Sequence, residues 1–242
     1  SLPGEYRQVG RPTRVSPLYS ILQEKGAAFG DTFGWERVKW FPPKGVNEEN
    51  GFRRKNWFYS VAEECRAVRE HVGVIDLSSF SKYEVCGKDA ETFLYRICAN
   101  HLPNQDGGIV LSQMLTELGG IECEATITRF NKYHYYLLSS AVAELHDFDW
   151  LVQHIDSGQD VEITNVTDDI GVLGVTGPYT RQVLGQLTKT LLVSEEFPWM
   201  TAREMVVADI PVRALRVSYV GELGWELHCR MDQLATLYQA IW

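Results

Sequence analysis

The sequence predicts an α+β fold in which antiparallel sheets carry packed helices. Three observations predict it. Apolar residues switch repeatedly between helical spacing and strand alternation from Trp57 onward. Consecutive strand-like runs are joined by short turns at Gly119-Gly120 and Asn131-Lys132, which connect antiparallel neighbours and are too short for a parallel crossover. Helices and hairpins alternate irregularly, unlike the regular strand–helix rhythm of a doubly wound sheet.

The elements follow in order. Residues 1–56 are rich in Pro, Gly and aromatic residues and read as an extension that packs, since tryptophans such as Trp35 and Trp40 suit anchoring rather than disorder. One helix is expected there, from Pro17 to Lys25, with Pro in the first turn and Gly26 as its stop. The rest of the extension reads as irregular chain. From 57 to 242 the pattern is regular and is taken as one further domain. Phe58, Val61, Ala62, Cys65 and Val68 keep helical spacing. Val72 to Ile75 is a short apolar run, and Tyr83 and Val85 alternate in the next. Ala90, Phe93, Leu94, Ile97 and Cys98 fall at i, i+3, i+4, i+7 and i+8, the clearest helix in the chain. Ile109–Leu115, Ile121–Phe130 and Tyr133–Ser139 read as a meander. Leu145, Phe148, Val152 and Ile155 mark a helix, and Val161–Val166 and Ile170–Thr176 are strands. Gly177-Pro178 opens a helix, and strands are expected over Met205–Val212 and Ala214–Tyr219.

At 242 residues the chain can bury a core without disulfides or metals. A net charge of −9 without a basic stripe argues against nucleic acid. The five cysteines are odd in number and lack C-x-x-C spacing, and the six histidines form no H-x-x-x-H or H-E-x-x-H cluster. No disulfide framework or metal site is expected, and a reducing compartment fits. G-x-G-x-x-G, G-x-x-x-x-G-K-[ST] and G-x-S-x-G are absent, so a nucleotide, flavin or serine-hydrolase site within this chain is unsupported. There is no apolar run long enough to span a membrane and no signal peptide. The start at Ser1 and the stop at Trp242, inside an amphipathic run of Leu234, Leu237, Tyr238 and Ile241, suggest a piece of a longer protein, short at its C-terminus.

Two stretches offer chemistry. Ser218-Tyr219-Val220-Gly221-Glu222-Leu223-Gly224-Trp225-Glu226-Leu227 reads as strand, glycine turn and strand with two glutamates. A carboxylate held there could accept two hydrogen bonds from an aminopyrimidine-like N–H edge, and the alternative is a hairpin with solvated acids. In Gly119-Gly120-Ile121-Glu122-Cys123-Glu124-Ala125-Thr126-Ile127, alternation puts Glu122, Glu124, Thr126 and Thr128 on one face and Ile121, Cys123, Ala125 and Ile127 on the core face. Glu122 and Glu124 are then an acid–base candidate or a solvated strand face. Cys123 reads as structural. Asp76 reads as a turn carboxylate bonding backbone N–H groups.

Taken in order, these pieces resemble the folate-binding aminomethyltransferases. That family includes the glycine cleavage T-protein and the C-terminal domains of dimethylglycine and sarcosine dehydrogenases. The resemblance rests on Val72-Gly73-Val74-Ile75-Asp76-Leu77-Ser78, Gly87-Lys88-Asp89-Ala90, Met114-Leu115-Thr116-Glu117-Leu118-Gly119-Gly120-Ile121, Gly174-Val175-Thr176-Gly177-Pro178 and a Y-T-G-E-x-G-x-E-like run at Tyr219–Glu226. Arg11-Pro12, Ser16-Pro17-Leu18-Tyr19 and Phe33-Gly34-Trp35-Glu36-Arg37 resemble the junction to a flavin domain in the dimethylglycine/sarcosine dehydrogenase group.

The resemblance implies a tetrahydrofolate-binding, one-carbon transfer domain that forms 5,10-methylenetetrahydrofolate. Its partner would be an upstream FAD domain of the same parent chain, in the mitochondrial matrix or a bacterial cytoplasm. Glu226 would hold the pterin's amino-pyrimidine edge, Glu124 would be the catalytic acid–base, and Tyr219 and Met114 would line the pterin and aminobenzoyl slot. Glu222 would support the turn. The chain departs from the family at Cys123 and Glu124, where an Asp pair is common, at Leu111 in place of tyrosine, and at Val220 in place of threonine. The alternatives are a regulatory module resembling the pyruvate dehydrogenase phosphatase regulatory subunit and a stand-alone glycine cleavage T-protein.

Overall fold

Helical and strand periodicities become six helices and twelve strands in the computed structural model, which describes residues 8–49 and 51–242. Helix α1 (Tyr19–Glu24) is followed by a hairpin, β1 (Ala28–Thr32) and β2 (Trp35–Trp40). After α2 (Phe58–Glu70) come β3 (Gly73–Asp76), β4 (Ser81–Cys86) and α3 (Ala90–Ile97). The expected meander is β5 (Ile109–Leu115), β6 (Ile121–Asn131) and β7 (His134–Ser139). Then follow α4 (Glu144–Gln153), β8 (Glu162–Asn165), β9 (Ile170–Thr176) and α5 (Thr180–Gly185). The last elements are β10 (Thr201–Val207), β11 (Ile210–Arg216), β12 (Gly224–Arg230) and α6 (Leu234–Ile241).

The strands after β2 form two antiparallel sheets, ordered β5-β6-β7-β4-β8 and β10-β11-β12-β9-β3. The chain takes the same path twice. The run β4–α3–β5–β6–β7–α4 builds the first sheet, and β9–α5–β10–β11–β12–α6 builds the second in the same spatial order. The outer position beside β4 is filled by β8, and the matching position beside β9 by β3.

Each sheet packs one face on helices. Phe93, Leu94 and Ile97 of α3 share a buried cluster with Met114, Cys123, Ala125, Ile127 and Leu137. Leu234, Leu237, Tyr238 and Ile241 of α6 do the same with Leu173, Val175, Trp225, Leu227 and Cys229, and Leu18 and Leu22 from the N-terminal region join them. The opposite faces of the two sheets meet in a third cluster of Ile109, Tyr136, Leu138, Val166, Ala202 and Leu215. The order of layers is therefore helices, sheet, sheet, helices.

Four expectations about elements are corrected. Residues 28–40, expected to be irregular, form the β1–β2 hairpin, in which Thr32 pairs with Trp35. Its two turn residues, Phe33 and Gly34, have φ of 50° and 88°, the signature of a type I′ turn. The strand expected over Met205–Val212 is divided by a second such turn, with Ala208 and Asp209 at φ of 49° and 63° and Val207 paired with Ile210. Both turns escape a sequence reading because Phe-Gly and Ala-Asp stand where Asn-Gly is usual. The break expected at Arg213 is instead the middle of β11, where Arg213 pairs with Glu204 and His228. Finally, β11 ends at Arg216, so Tyr219 lies in a loop rather than on an alternating strand.

The turns from β4 to α3 and from β9 to α5 use Gly87 and Gly177 at φ of 134° and 132°. A Cβ on Gly177 would lie 2.4 Å from the His71 carbonyl oxygen, and one on Gly87 would lie 2.0 Å from that of Asp160. Backbone cannot yield there as a flexible side chain could. Gly177→Ala is expected to cost ~2 kcal/mol or more in urea unfolding. Gly185→Ala, where a Cβ meets nothing within 4 Å, should change stability by less than ~1 kcal/mol in the same measurement.

Candidate functional site

Alternation along β12 divides its side chains cleanly. Trp225, Leu227 and Cys229 enter the α6-side core, so Gly224, Glu226 and His228 face the other sheet. His228 is fully buried there and reaches across. Its Nδ1 lies 3.0 Å from the Tyr136 hydroxyl of β7, and its Nε2 lies 3.3 Å from Glu226 Oε2. Burial lowers the His228 pKa and raises that of Tyr136 well above its ordinary value. Imidazole and phenol are therefore both neutral. A carboxylate only accepts, so Nε2–H donates to Glu226 and Nδ1 accepts from the Tyr136 O–H. One oxygen of Glu226 is oriented through a chain anchored on the opposite sheet, while the carboxylate stays partly accessible, at 26% side-chain exposure.

Glu226 has Leu215 of β11 on one side and a glycine on the other. It pairs with Gly174 on β9, and Gly174 pairs with Ile75 on β3. A Cβ on Gly174 would press on Ile75 and Leu77 at 2.9 Å, and one on Gly224 would lie 2.9 Å from the Val175 carbonyl. Gly174 thus lets Ile75 and Leu77 pack directly on β9, and Gly224 lets the backbones of β12 and β9 approach closely. The expected carboxylate Asp76 acts as foreseen, with the Ser78 N–H donating to it at 2.9 Å, and the Ser16 hydroxyl also donates to it.

Glu124 sits on β6 with its side chain exposed, and the Gln113 amide donates to it at 2.5 Å. It shares the inward face with Thr126 and Thr128, and Thr128 pairs with Tyr136. Four residues of strand separate Glu124 from that pair, about 13 Å. Glu226 and Glu124 thus stand on facing sheets, apart from each other. The neighbouring acid, Glu122, is engaged by His146 at 2.9 Å. The His146 ring is itself held by Asp147 at 3.0 Å, and these two acids, Asp147 first, raise its pKa.

The remaining expected site residues are placed differently. Met114 is fully buried in the α3-side cluster, because pairing with Cys123 puts it on the face opposite Gln113 and Glu124. It packs the core instead of lining the space between the sheets. Tyr219 is fully exposed in the 217–223 loop. Glu222 braces that loop through an ion pair with Arg69 of α2 at 3.2 Å, and Gly221 turns it at φ of 83°. A cavity of about 350 Å³ beside the loop is lined by Trp199, Arg216, Ser218 and Glu222, but not by Glu226. Cys123 is buried in the core as expected, and burial pushes its thiol up to about 12.

Sequence reasoning missed His228 and Gly174. A signal for His228 existed: it lies two residues beyond Glu226 on a strand, hence on the same face.

The lowered pKa of His228 has a defined sign. The unfolded chain takes up a proton near pH 6.5 that the buried ring refuses, so stability present above that pH is lost as pH falls toward the folded pKa. Urea midpoints measured from pH 8 to pH 5 should fall more steeply for the unmodified protein than for His228→Gln. Equal slopes would show that this ring does not carry the dependence.

Residues 18–242 match the family described as the GCVT N-terminal domain. Over 243 aligned positions the chain is 43% identical to the mitochondrial dimethylglycine dehydrogenase of Rattus norvegicus, covering 99% of this chain and 28% of that protein. It is 33% identical to an aminomethyltransferase of Anoxybacillus flavithermus, covering 93% of this chain and 57% of that protein. The crystal structure of glycine cleavage system aminomethyltransferase T from Bartonella henselae superposes with a TM-score of 0.78 at 23% identity, covering 95% of this chain and 57% of that one. At that identity what is shared is the fold. Among the described residues, no helix is long and apolar enough to cross a membrane. With a family match over residues 18–242 and a fold shared with aminomethyltransferase T, the chain belongs to the GCVT N-terminal domain family.

Proposed function

We propose that this domain binds tetrahydrofolate between its two sheets and serves one-carbon transfer to it. The observation that carries the reading is the inward-facing Glu226 carboxylate, oriented by His228 and bordered by Gly174 and Gly224. A reduced pterin presents a flat edge with an N–H and an amino group. A carboxylate with both oxygens in one plane accepts from both. When bound, the folate supplies nucleophilic nitrogens that take up a methylene unit as 5,10-methylenetetrahydrofolate.

The chain's own residues do the rest. Glu226 fixes the heterocycle, and the His228–Tyr136 chain holds Glu226 against rotation. Glu124, exposed on the inward face of β6, stands as the acid–base group that moves a proton as the carbon changes nitrogen. Gln113 orients it. The relationship to dimethylglycine dehydrogenase supports a parent that oxidises an N-methyl amine with FAD in an upstream domain, in mitochondria or a bacterial cytoplasm. A regulatory protein that binds no folate is the competing reading.

Calorimetry on the full-length parent tests this. The unmodified protein should bind tetrahydrofolate, and Glu226→Gln should weaken binding ~10–100-fold, as expected for a hydrogen bond to a charged group. Glu124→Gln should leave affinity nearly unchanged yet slow methylene transfer ~100-fold or more. Unchanged affinity in Glu226→Gln would overturn the assignment of the pterin ligand. No binding by the unmodified protein would favour the regulatory reading.

A further inference from the structure

The end of the first sheet remote from Glu124 gathers three metal-ligating side chains that the folate reading does not use. Cys86 on β4 pairs directly with His134 on β7, and Glu84, two residues before Cys86, shares their face. One donor atom from each of the three lies within 4.8 Å of the others. The cluster is half-buried, so an ion can reach it from solvent. Along β6, the residue that pairs with His134 is Asn131, seven residues from Glu124 and hence about 23 Å away.

Three details point to a cation rather than to a self-contained polar cluster. His134 Nε2 is buried and makes no hydrogen bond. Glu84 Oε2 faces it at 3.6 Å, an ion-pair distance for a protonated ring but too long for a hydrogen bond. The other oxygen, Oε1, accepts from Arg213 Nη1 at 2.6 Å. Glu84 is therefore oriented by a partner from the opposite sheet while its second oxygen is left aimed at the histidine. Ligating carboxylates in metal sites are held from behind in this way.

We propose that Glu84, Cys86 and His134 form a zinc-type divalent-metal site, with the fourth position open to water. A sulfur, an imidazole nitrogen and a carboxylate oxygen suit borderline-soft Zn²⁺. Tetrahedral bonds of about 2.0–2.3 Å hold donors about 3.5 Å apart, so closure asks for a shift on the order of 1 Å. Binding exchanges the Cys86 S–H bond for an S–metal bond and releases the proton to water. The thiolate and Glu84 then offset the dication, and Arg213 has a second acid in Glu204, whose Oε1 lies 4.0 Å from its Nε. In the metal-free state, burial together with Glu84 and Glu162 pushes the Cys86 thiol up, which keeps it protonated. Because Arg213 belongs to β11, a bound ion would tie the first sheet to the second.

Cobalt(II) is the probe. One equivalent added to the purified protein should give a thiolate-to-cobalt charge-transfer band and tetrahedral ligand-field absorption, and zinc should abolish both. The band should vanish in Cys86→Ser and persist in Cys65→Ser, whose thiol is exposed elsewhere. Should Cys86→Ser fail to fold, His134→Gln decides: zinc affinity by chelator competition should drop at least ~10-fold, and Arg213→Met should lower it ~10–100-fold through the oriented carboxylate. Absence of the band at one equivalent, its survival in Cys86→Ser, or unchanged zinc affinity in His134→Gln would overturn the proposal.

Discussion

Two antiparallel sheets bury their inner faces against each other, and two pairs of polar groups caught between them meet across the gap. Tyr136 of one sheet meets His228 of the other, and Glu84 of one meets Arg213 of the other. The Arg213 guanidinium also lies over the Tyr136 ring, 5.3 Å from its centroid, and adds a cation–π contact to the junction. Lys82 is fully buried beside them, donates to the Ser78 and Phe80 carbonyls at 2.7 and 2.8 Å, and has its pKa lowered to about 8 by burial. An apolar interface would tolerate sliding. These bonds do not, because a shift would strand buried donors and acceptors. The orientation of Glu226 follows from this constraint, since its partner His228 is fixed by the opposite sheet.

The repeated path gives the molecule two versions of one layout. Gly87 and Gly177 occupy matching turns, and by register Tyr136 corresponds to Glu226. Likewise Glu84, Cys86 and His134 correspond to Gly174, Thr176 and Gly224. One copy carries small residues beside an accessible carboxylate. The other carries donor side chains around a buried phenol. The same backbone thus supports two chemical environments, and the difference lies in side-chain size and charge at a few paired positions.

Much of this was legible in the sequence. Regular alternation and i, i+3, i+4 spacing place the helices and most strands, because those periods follow from backbone geometry and the need to bury one face. The Tyr219–Glu226 run singles out Glu226, and the strand of Glu124 is recognisable from its glycine turn. Phe33-Gly34 and Ala208-Asp209 were not legible as hairpin turns, since tertiary packing there outweighs the usual turn preferences. Met114 shows the limit of a motif: a place in a recognisable run does not say which face of its strand a side chain takes. Tyr219 shows another, since its alternation with Val217 and Leu215 has no strand to act on once β11 has ended.

By itself, the sequence determined the α+β class, the helix-facing cores and the family, because these depend on local periodicity and on ordered motifs within short stretches. Only the tertiary structure decided which acids act together and which stand apart. His228 needs Tyr136, 92 residues away, and Glu84 needs Arg213, 129 residues away. Glu84, Cys86 and His134 come together through strand pairing, and no spacing rule within one segment describes them. Contacts between strands distant in the chain arise from sheet register and sheet packing, and those are set by the whole molecule at once.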